Sequence, residues 1–246
     1  MKNVAVYTVI VDGYDALKEP VHSQLREEAD FYCFTNGDIT SDFYTMIPIE
    51  KKFDSATLTN RYYKIRSHPV LKDYQYTVYL DGSMQLITNT LQPLVALVAD
   101  HDIALFEHRF RACAYREARA IIGHRKAHHK QVYTQVKRYS QEGFPKQLGL
   151  IEGGMIVRNH YSSSLKAFEE AWWHELYHNV HRDQLSFNYV LWKHPVRFVP
   201  IPGNVDDNAF FKREVHAPSR LNTFREKIIF RYWKIRIDML RVKALR

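Results

Sequence analysis

The stretch Tyr76-Thr77-Val78-Tyr79-Leu80-Asp81-Gly82-Ser83 decides the fold, because its apolar run stops abruptly at an aspartate, a glycine and a serine. A short apolar run bounded by turn residues predicts a buried strand. Nothing about a strand end requires a carboxylate. In open α/β sheets, however, ligands sit outside the carboxyl ends of strands. An aspartate there can hold a divalent cation, and the cation can neutralise a diphosphate. The alternative is a plain turn, since Asp-Gly is also a strong turn signal.

Working outward, residues 3–11 (NVAVYTVIV) are β-branched and almost continuously apolar, which predicts a central strand. It runs into Asp12-Gly13-Tyr14-Asp15, a loop with two carboxylates at a strand's end. Strands are expected at 30–35, 44–49, 103–106 and 196–201. Asp54 or Ser55 can cap a helix running to Arg66, with Pro69 marking its end. Further helices are expected over 91–98, over 162–178 and over 182–192, with one or two more between 112 and 141. Residues 149–157 (GLIEGGMIV) read as a strand whose Gly153-Gly154 break lets another backbone or a ligand come close. Residues 204–216 read as a polar and aromatic loop. Strands alternating with helices predict an α/β layered sheet.

The chain of 246 residues is 46% hydrophobic, enough for one large domain with a sizeable core. Two scattered cysteines, Cys33 and Cys113, make neither a disulfide framework nor a zinc site, so a reducing compartment is expected. The apolar start is too short for a signal peptide or a membrane span. Of the net charge of +8, residues 224–246 carry +6, with eight Lys/Arg against Glu226 and Asp238. A nearly neutral domain, 1–223, with a basic tail argues against a nucleic-acid binder. Within the tail, Ile228, Tyr232, Ile235, Met239 and Val242 recur at helical steps. That pattern predicts a basic amphipathic helix, either docked on an anionic membrane or packed on its own domain.

His174-Glu175-Leu176-Tyr177-His178 is a literal H-E-x-x-H. On a helix its two imidazoles could hold zinc with Glu175 as general base, which makes a zinc peptidase the alternative function. The extended form of the motif fails, because His181 and Gln184 stand where its glycine and third histidine belong. A solvated helix face, with tryptophans buried opposite, is the expectation. His124, His128 and His129 lie among Arg125, Lys126 and Lys130 and read as an exposed cationic face. Gly153-Gly154 lacks a phosphate-loop pattern, and no serine or cysteine nucleophile motif is present. Arg61 and Lys64 are either surface charges or a diphosphate clamp. Asp183 and Gln184 open a predicted helix, where an acidic residue suits the helix dipole or can receive a sugar hydroxyl.

The ordered set YTVIVDGYD, DFYCFTN, NRYYKIRSHPVL, YTVYLDGSMQL, LIEGGMIVRNH and RDQLSFNYVLWK resembles a small glycosyltransferase-like family. Its members occur among bacterial surface-polysaccharide genes and in plant secretory-pathway proteins. The resemblance covers residues 3–216. It implies a GT-A-type, Rossmann-like αβα sandwich with a mostly parallel sheet, using a nucleotide-diphosphate sugar, with UDP the expected nucleotide. Asp81-Gly82-Ser83 then matches the D-x-D position, with Ser83 a poorer ligand than the usual second aspartate for Mn²⁺ or Mg²⁺. His216 would supply a further metal ligand. Thr8, Val9, Asp12, Tyr14 and Asp15 would border the nucleotide, and Arg61, Lys64, Asp81, Gly82 and Ser83 the rest of the donor. Glu152 and Asp183 are the candidate catalytic carboxylates, with Gly153, Gly154 and Gln184 on the acceptor side. The acceptor is expected to be a glycan or lipid-linked. The protein is expected to be cytoplasmic and peripheral on the inner face of the plasma membrane. A non-catalytic sugar- or membrane-binding module remains open.

Overall fold

Side chains of the first strand, β1 (Val4–Ile10), alternate between two apolar layers, so the sheet must be covered on both faces. Ala5, Tyr7 and Val9 enter one core, while Val4, Val6 and Ile10 enter the other. Each such buried Val, Ile or Leu contributes roughly 1.5–3 kcal/mol relative to exposure. In the computed structural model, which describes residues 2–213 and 240–244, this strand lies inside a seven-stranded mixed sheet. The other members are β2 (Asp30–Thr35), β3 (Thr45–Pro48), β4 (Tyr76–Leu80), β6 (Ile103–Glu107), β7 (Ile151–Asn159) and β8 (Phe198–Pro200), in the order β3-β2-β1-β4-β7-β6-β8. A separate pair joins β5 (Met84–Leu86) to β9 (Phe211–Arg213).

One face is covered by α2 (Ala56–Arg66), α4 (Ala114–Gly123), α5 (His129–Gln141), α6 (Ser163–His178) and α7 (Asp183–Lys193). The short α1 (Leu25–Glu28) and α3 (Gln92–Leu97) cover the other, together with the β5–β9 pair. Ser55 caps α2 by accepting a hydrogen bond from the Leu58 amide, as its position before the apolar-periodic run predicts. Among the described residues no helix is long and apolar enough to cross a membrane.

The sheet is mostly parallel, as expected, and the structure adds one reversal: β7 runs antiparallel to both β4 and β6, whereas the other pairings are parallel. A pleated strand shows the same burial pattern in either direction, so periodicity finds a strand but not its sense. The loop expected over 204–216 contains β9, whose three residues pair with β5 and are too few to show a period. Of the basic segment 224–246 only 240–244 are described. They are helical, and Val242 is buried in the larger core, so this turn rests on the domain. The rest of the predicted helix, and His216, lie outside the described residues.

Candidate active site

Strands β1, β4 and β6 end on one edge of the sheet, and antiparallel β7 begins there. This reversal of strand direction is what assembles the site. Glu152 enters opposite Phe106, beside the end of β6, while Asp81 follows β4 and its amide donates to the Gly154 carbonyl at 2.8 Å. Between Leu105 and Phe106 the β6–β7 register slips at the Gly153-Gly154 break, a bulge that re-aims the strand at the cavity.

The glycines are close-packed. A Cβ on Gly153 would lie 2.7 Å from Asp183 Oδ2 and 3.0 Å from Lys64 Nζ, and one on Gly154 would meet Met84. The close approach expected from the sequence is therefore made by the protein's own side chains. Gly82 likewise has Asp15 against it, with Oδ2 at 3.0 Å from where its Cβ would be. That contact brings the β1 loop to the end of β4.

At the centre, Lys64 Nζ donates to Asp183 Oδ2 at 2.7 Å, and both side chains are buried. The same ammonium lies 3.6 Å from Asp81 Oδ1, and Arg61 lies 3.8 Å from the other Asp183 oxygen. Asp81 Oδ1 also accepts from Tyr79 Oη at 2.5 Å. Burial alone would push the Asp183 carboxyl up, but Lys64, Arg61 and Arg182 together hold it well below the usual carboxylate range. Its place as the first residue of α7 adds the helix dipole in the same sense.

Glu152 is the opposite case. Burial raises its carboxyl, Asp206 raises it further, and Oε2 has no hydrogen-bond partner among the described residues. Its other oxygen is 3.7 Å from His108 Nε2. His108 is held towards its neutral form by burial, and by the nearby Arg111 guanidinium.

These groups line a cavity of about 220 Å³ with Arg61, Ser83, Arg111, Lys126, Arg182, Gln184 and Arg213. Six Lys/Arg face it against the carboxylates Asp81, Glu152 and Asp183, an excess suited to an anionic ligand. Partial burial and the like charge of Arg182 lower the Lys126 ammonium's affinity for its proton. Lys126, read from sequence within an exposed cationic face, is exposed and also lines the cavity from the α4–α5 corner. His108, Arg111 and Arg213 were not singled out by sequence reasoning. His108 had a usable signal, since it follows the end of β6 much as Asp81 follows β4, whereas Arg213 sat in a stretch read as loop.

Some expected donor residues lie elsewhere. Thr8 and Val9 are buried inside β1, and neither lines the cavity. Continuous apolar flanks put them in the sheet's interior rather than at its edge. Asp12 pairs with Lys51 at 2.6 Å and with Asn36 at 2.8 Å, while Tyr14 projects into solvent. Of that loop it is Asp15 that turns inward. The H-E-x-x-H face is also not uniformly solvated. Glu175 points into the core, accepting from Tyr139 Oη at 2.7 Å and from Arg138 at 2.5 Å, on the side of α6 that carries Trp172. It is committed there and not to His174 and His178, whose rings meet 4.1 Å apart on the outside. Among the described residues no cluster of three or more His, Cys, Asp or Glu could hold a metal.

Residues 44–208 match the family described as TOD1/MUCI70, glycosyltransferase-like domain. A curated relative, "Probable hexosyltransferase MUCI70" of Arabidopsis thaliana, is 22% identical over 218 residues. That match covers 77% of this chain, and the chain spans only 37% of the relative's length. Among solved structures, the bifunctional glycosyltransferase WbbM is similar with a TM-score of 0.47 and 11% identity, over 82% of this chain and 39% of that one. The galactosyltransferase LgtC, in complex with donor and acceptor sugar analogues, has a TM-score of 0.44 and 11% identity, over 80% and 72%. The glycosyltransferase GlyE of Streptococcus pneumoniae TIGR4 has a TM-score of 0.44 and 12% identity, over 82% and 46%.

Proposed function

Because the chain belongs to the TOD1/MUCI70 glycosyltransferase-like family, we propose that it moves a hexose from a nucleotide-diphosphate donor, a UDP-sugar, to a glycan or lipid-linked hydroxyl. The single observation that carries this reading is the Lys64–Asp183–Asp81 cluster at the sheet's strand-end edge, inside a cavity rich in Lys and Arg. Arg61 and Lys64 would hold a diphosphate, Arg through two parallel hydrogen bonds and Lys as a point charge. The GT-A-type fold implied by the sequence resemblance agrees with ligands meeting strand ends.

Asp81 and Ser83 offer one carboxylate and one hydroxyl. That donor set fits a Mg²⁺ or Mn²⁺ whose remaining ligands are water and donor phosphates. When bound, such an ion would offset charge on the departing diphosphate. Lys64, with its ammonium 3.6 Å from Asp81, supplies positive charge at the same point from the chain itself.

In the transfer, the acceptor oxygen bonds to the anomeric carbon while the bond from that carbon to the diphosphate oxygen breaks. The diphosphate leaves with the electron pair, and the acceptor proton passes to a base. Of the two carboxylates Glu152 is the better base, because a desolvated carboxylate holds a proton more tightly than one neutralised by Lys64 and Arg61. Asp183 then keeps Lys64 in place and orients the hydroxyl with Gln184.

Thermal-shift screening of UDP-sugars with and without Mn²⁺ tests the donor, since a ligand of the native state raises Tm. Asp81→Ala should abolish that shift and most transfer while the free protein's Tm holds. Wild-type turnover in Asp81→Ala would sink the assignment. Beside this reading stands a cytoplasmic, peripheral location, with the basic residues of 224–239 rather than the packed turn 240–244 meeting anionic lipid at the plasma membrane's inner face. A chain ending at Asn222 should then lose binding to anionic vesicles, and unchanged binding removes that part.

A further inference from the structure

We propose that the acceptor is an anionic glycan, seated in a cationic track that leaves the active-site cavity across α4; this rests on the transferase reading above. Arg111 lines the site cavity and also an open depression of about 590 Å³ on the outside of α4, which Arg116, Arg119, His124 and Phe110 complete. Arg116 and Arg119 in turn line a third hollow, of about 200 Å³, with Lys146 and Lys243. The three spaces are thus chained by shared arginines. Among the described residues, no carboxylate lines the second or the third.

The helix is built to present this charge. Ala114, Tyr115, Ala118, Ile121 and Ile122 are buried, which leaves Arg116 and Arg119 on the outer side. Its one acidic residue, Glu117, is buried and accepts from Arg111 Nε at 2.6 Å. The carboxylate that could neutralise the track is therefore withdrawn from the surface, where it fixes Arg111 at the junction. His108 Nε2, 2.6 Å from the Arg111 guanidinium, holds it from the other side. Neither Arg116 nor Arg119 has an ion-pair partner among the described residues. Phe110 is 70% exposed beside the junction, with the Arg109 guanidinium 4.8 Å from its ring. An exposed aromatic face gives the carbon side of a sugar ring something to pack on, and the arginines match its acidic groups in pairs of hydrogen bonds.

The shape favours a chain over a bilayer. A bilayer would meet one broad face, whereas these cations continue in a line from the reaction cavity across a shallow depression to a further hollow. A glycan lying along them delivers its terminal hydroxyl to Glu152 and Asp183.

The test uses the full chain with the double variant Arg116→Gln/Arg119→Gln, and Arg116→Lys/Arg119→Lys as the charge-retaining control. Calorimetric titration with an oligomannuronate, a neutral dextran oligosaccharide of equal length and phosphatidylglycerol vesicles separates the possible ligands. Mannuronate affinity should fall at least about tenfold in the Gln variant, the equivalent of one lost charge-assisted contact. It should fall with added salt and stay near wild type in the Lys variant. Equal binding of mannuronate and dextran, or unchanged mannuronate binding in the Gln variant at an unchanged Tm, overturns the proposal. Loss of vesicle binding in that variant with mannuronate binding intact overturns it in favour of a lipid surface. UDP-sugar thermal shifts are recorded on the same samples. Should no UDP-sugar shift the wild type while mannuronate binding follows the arginines, the transferase reading fails and the track remains.

Discussion

Two buried ion pairs meet at Lys64, and they are built differently. On the backbone side, Arg158 donates to Glu169 at 2.5 Å, to Tyr7 Oη at 3.1 Å and to the Lys64 carbonyl at 2.7 Å. Each nitrogen of that guanidinium has a partner inside the protein. On the side-chain side, the Lys64 ammonium pairs with Asp183 but lines a cavity, with Asp81 waiting at 3.6 Å. Glu169 does border a separate cavity of about 730 Å³, but every guanidinium nitrogen of Arg158 is already committed inside the protein, so this pair holds the fold. A pair whose members border a cavity and share looser partners can exchange one of them for a ligand's phosphate. The chain uses one residue for both, so the scaffold pair fixes the backbone that aims the functional ammonium.

The strongest way to break this contrast is Arg158→Met, which leaves Glu169 buried without its partner. A loss of about 3–5 kcal/mol is expected in urea unfolding, and Arg158→Met/Glu169→Leu should recover most of it. If Arg158→Met costs less than Asp183→Asn, the two pairs have been assigned the wrong way round.

Asp183→Asn should cost somewhat less, about 2–3 kcal/mol, because the amide still accepts a hydrogen bond from the stranded Lys64. Its carboxyl is held below the usual range in the folded state, so its contribution is present above the unfolded value. Stability curves for wild type and Asp183→Asn should therefore run parallel from about pH 5 upward and converge as pH falls below about 4. Constant separation down to strong acid would contradict the ion pair.

Glu152→Gln sharpens the contrast between carboxylates. Turnover should fall about a hundredfold or more, the usual worth of a general base. Stability should hold or rise slightly, since burial already disfavours the charge. A raised folded value means the wild-type carboxyl favours folding when protonated and loses that advantage as pH climbs through it. The rising limb of kcat/KM against pH should accordingly lie above the ordinary glutamate range, about 4.3, and vanish in Glu152→Gln. An unchanged pH profile would move the base elsewhere.

The smallest effect is expected at Ser67, which ends α2 with φ +59 and ψ 164 and lies 3.5 Å from Tyr7 Oη on the scaffold side. That backbone region suits glycine, so Ser67→Gly should stabilise by up to about 1 kcal/mol with turnover unaltered. Destabilisation in thermal melts would show that the hydroxyl matters more than the strain.

Much of the scaffold was legible because single-strand and single-helix patterns are local. The apolar run ending at Asp81, the Ser55 cap and the Gly143-x-Pro145 break before β7 each announce themselves within a few residues. Arg61, Lys64, Asp81, Glu152, Asp183 and Gln184 do share one cavity. Thr8 and Val9 lie within β1 and outside that cavity; a strand's last residues and its interior look alike in an unbroken apolar run. The inward turn of Glu175 within H-E-x-x-H follows because a step of one residue, about 100° around the helix, carries the chain from the exposed His174 to the buried side. His108 and Arg111 come from one short stretch and Arg213 from another about a hundred residues on, and their charges have no periodic signature.

What the sequence determined by itself is the order of strands and helices, the apolar layers and the strand-end carboxylate, because burial and turn chemistry act on neighbouring residues. The tertiary structure alone decided that β7 is reversed, which brings Glu152 and the two glycines to Asp81. It alone joined Lys64 to Asp183 across 119 residues of chain and turned Glu117 inward beneath a row of arginines. Charge and proton affinity depend on which groups end up within a few ångströms and how much water remains. Those distances are set by packing between elements, which no local pattern encodes.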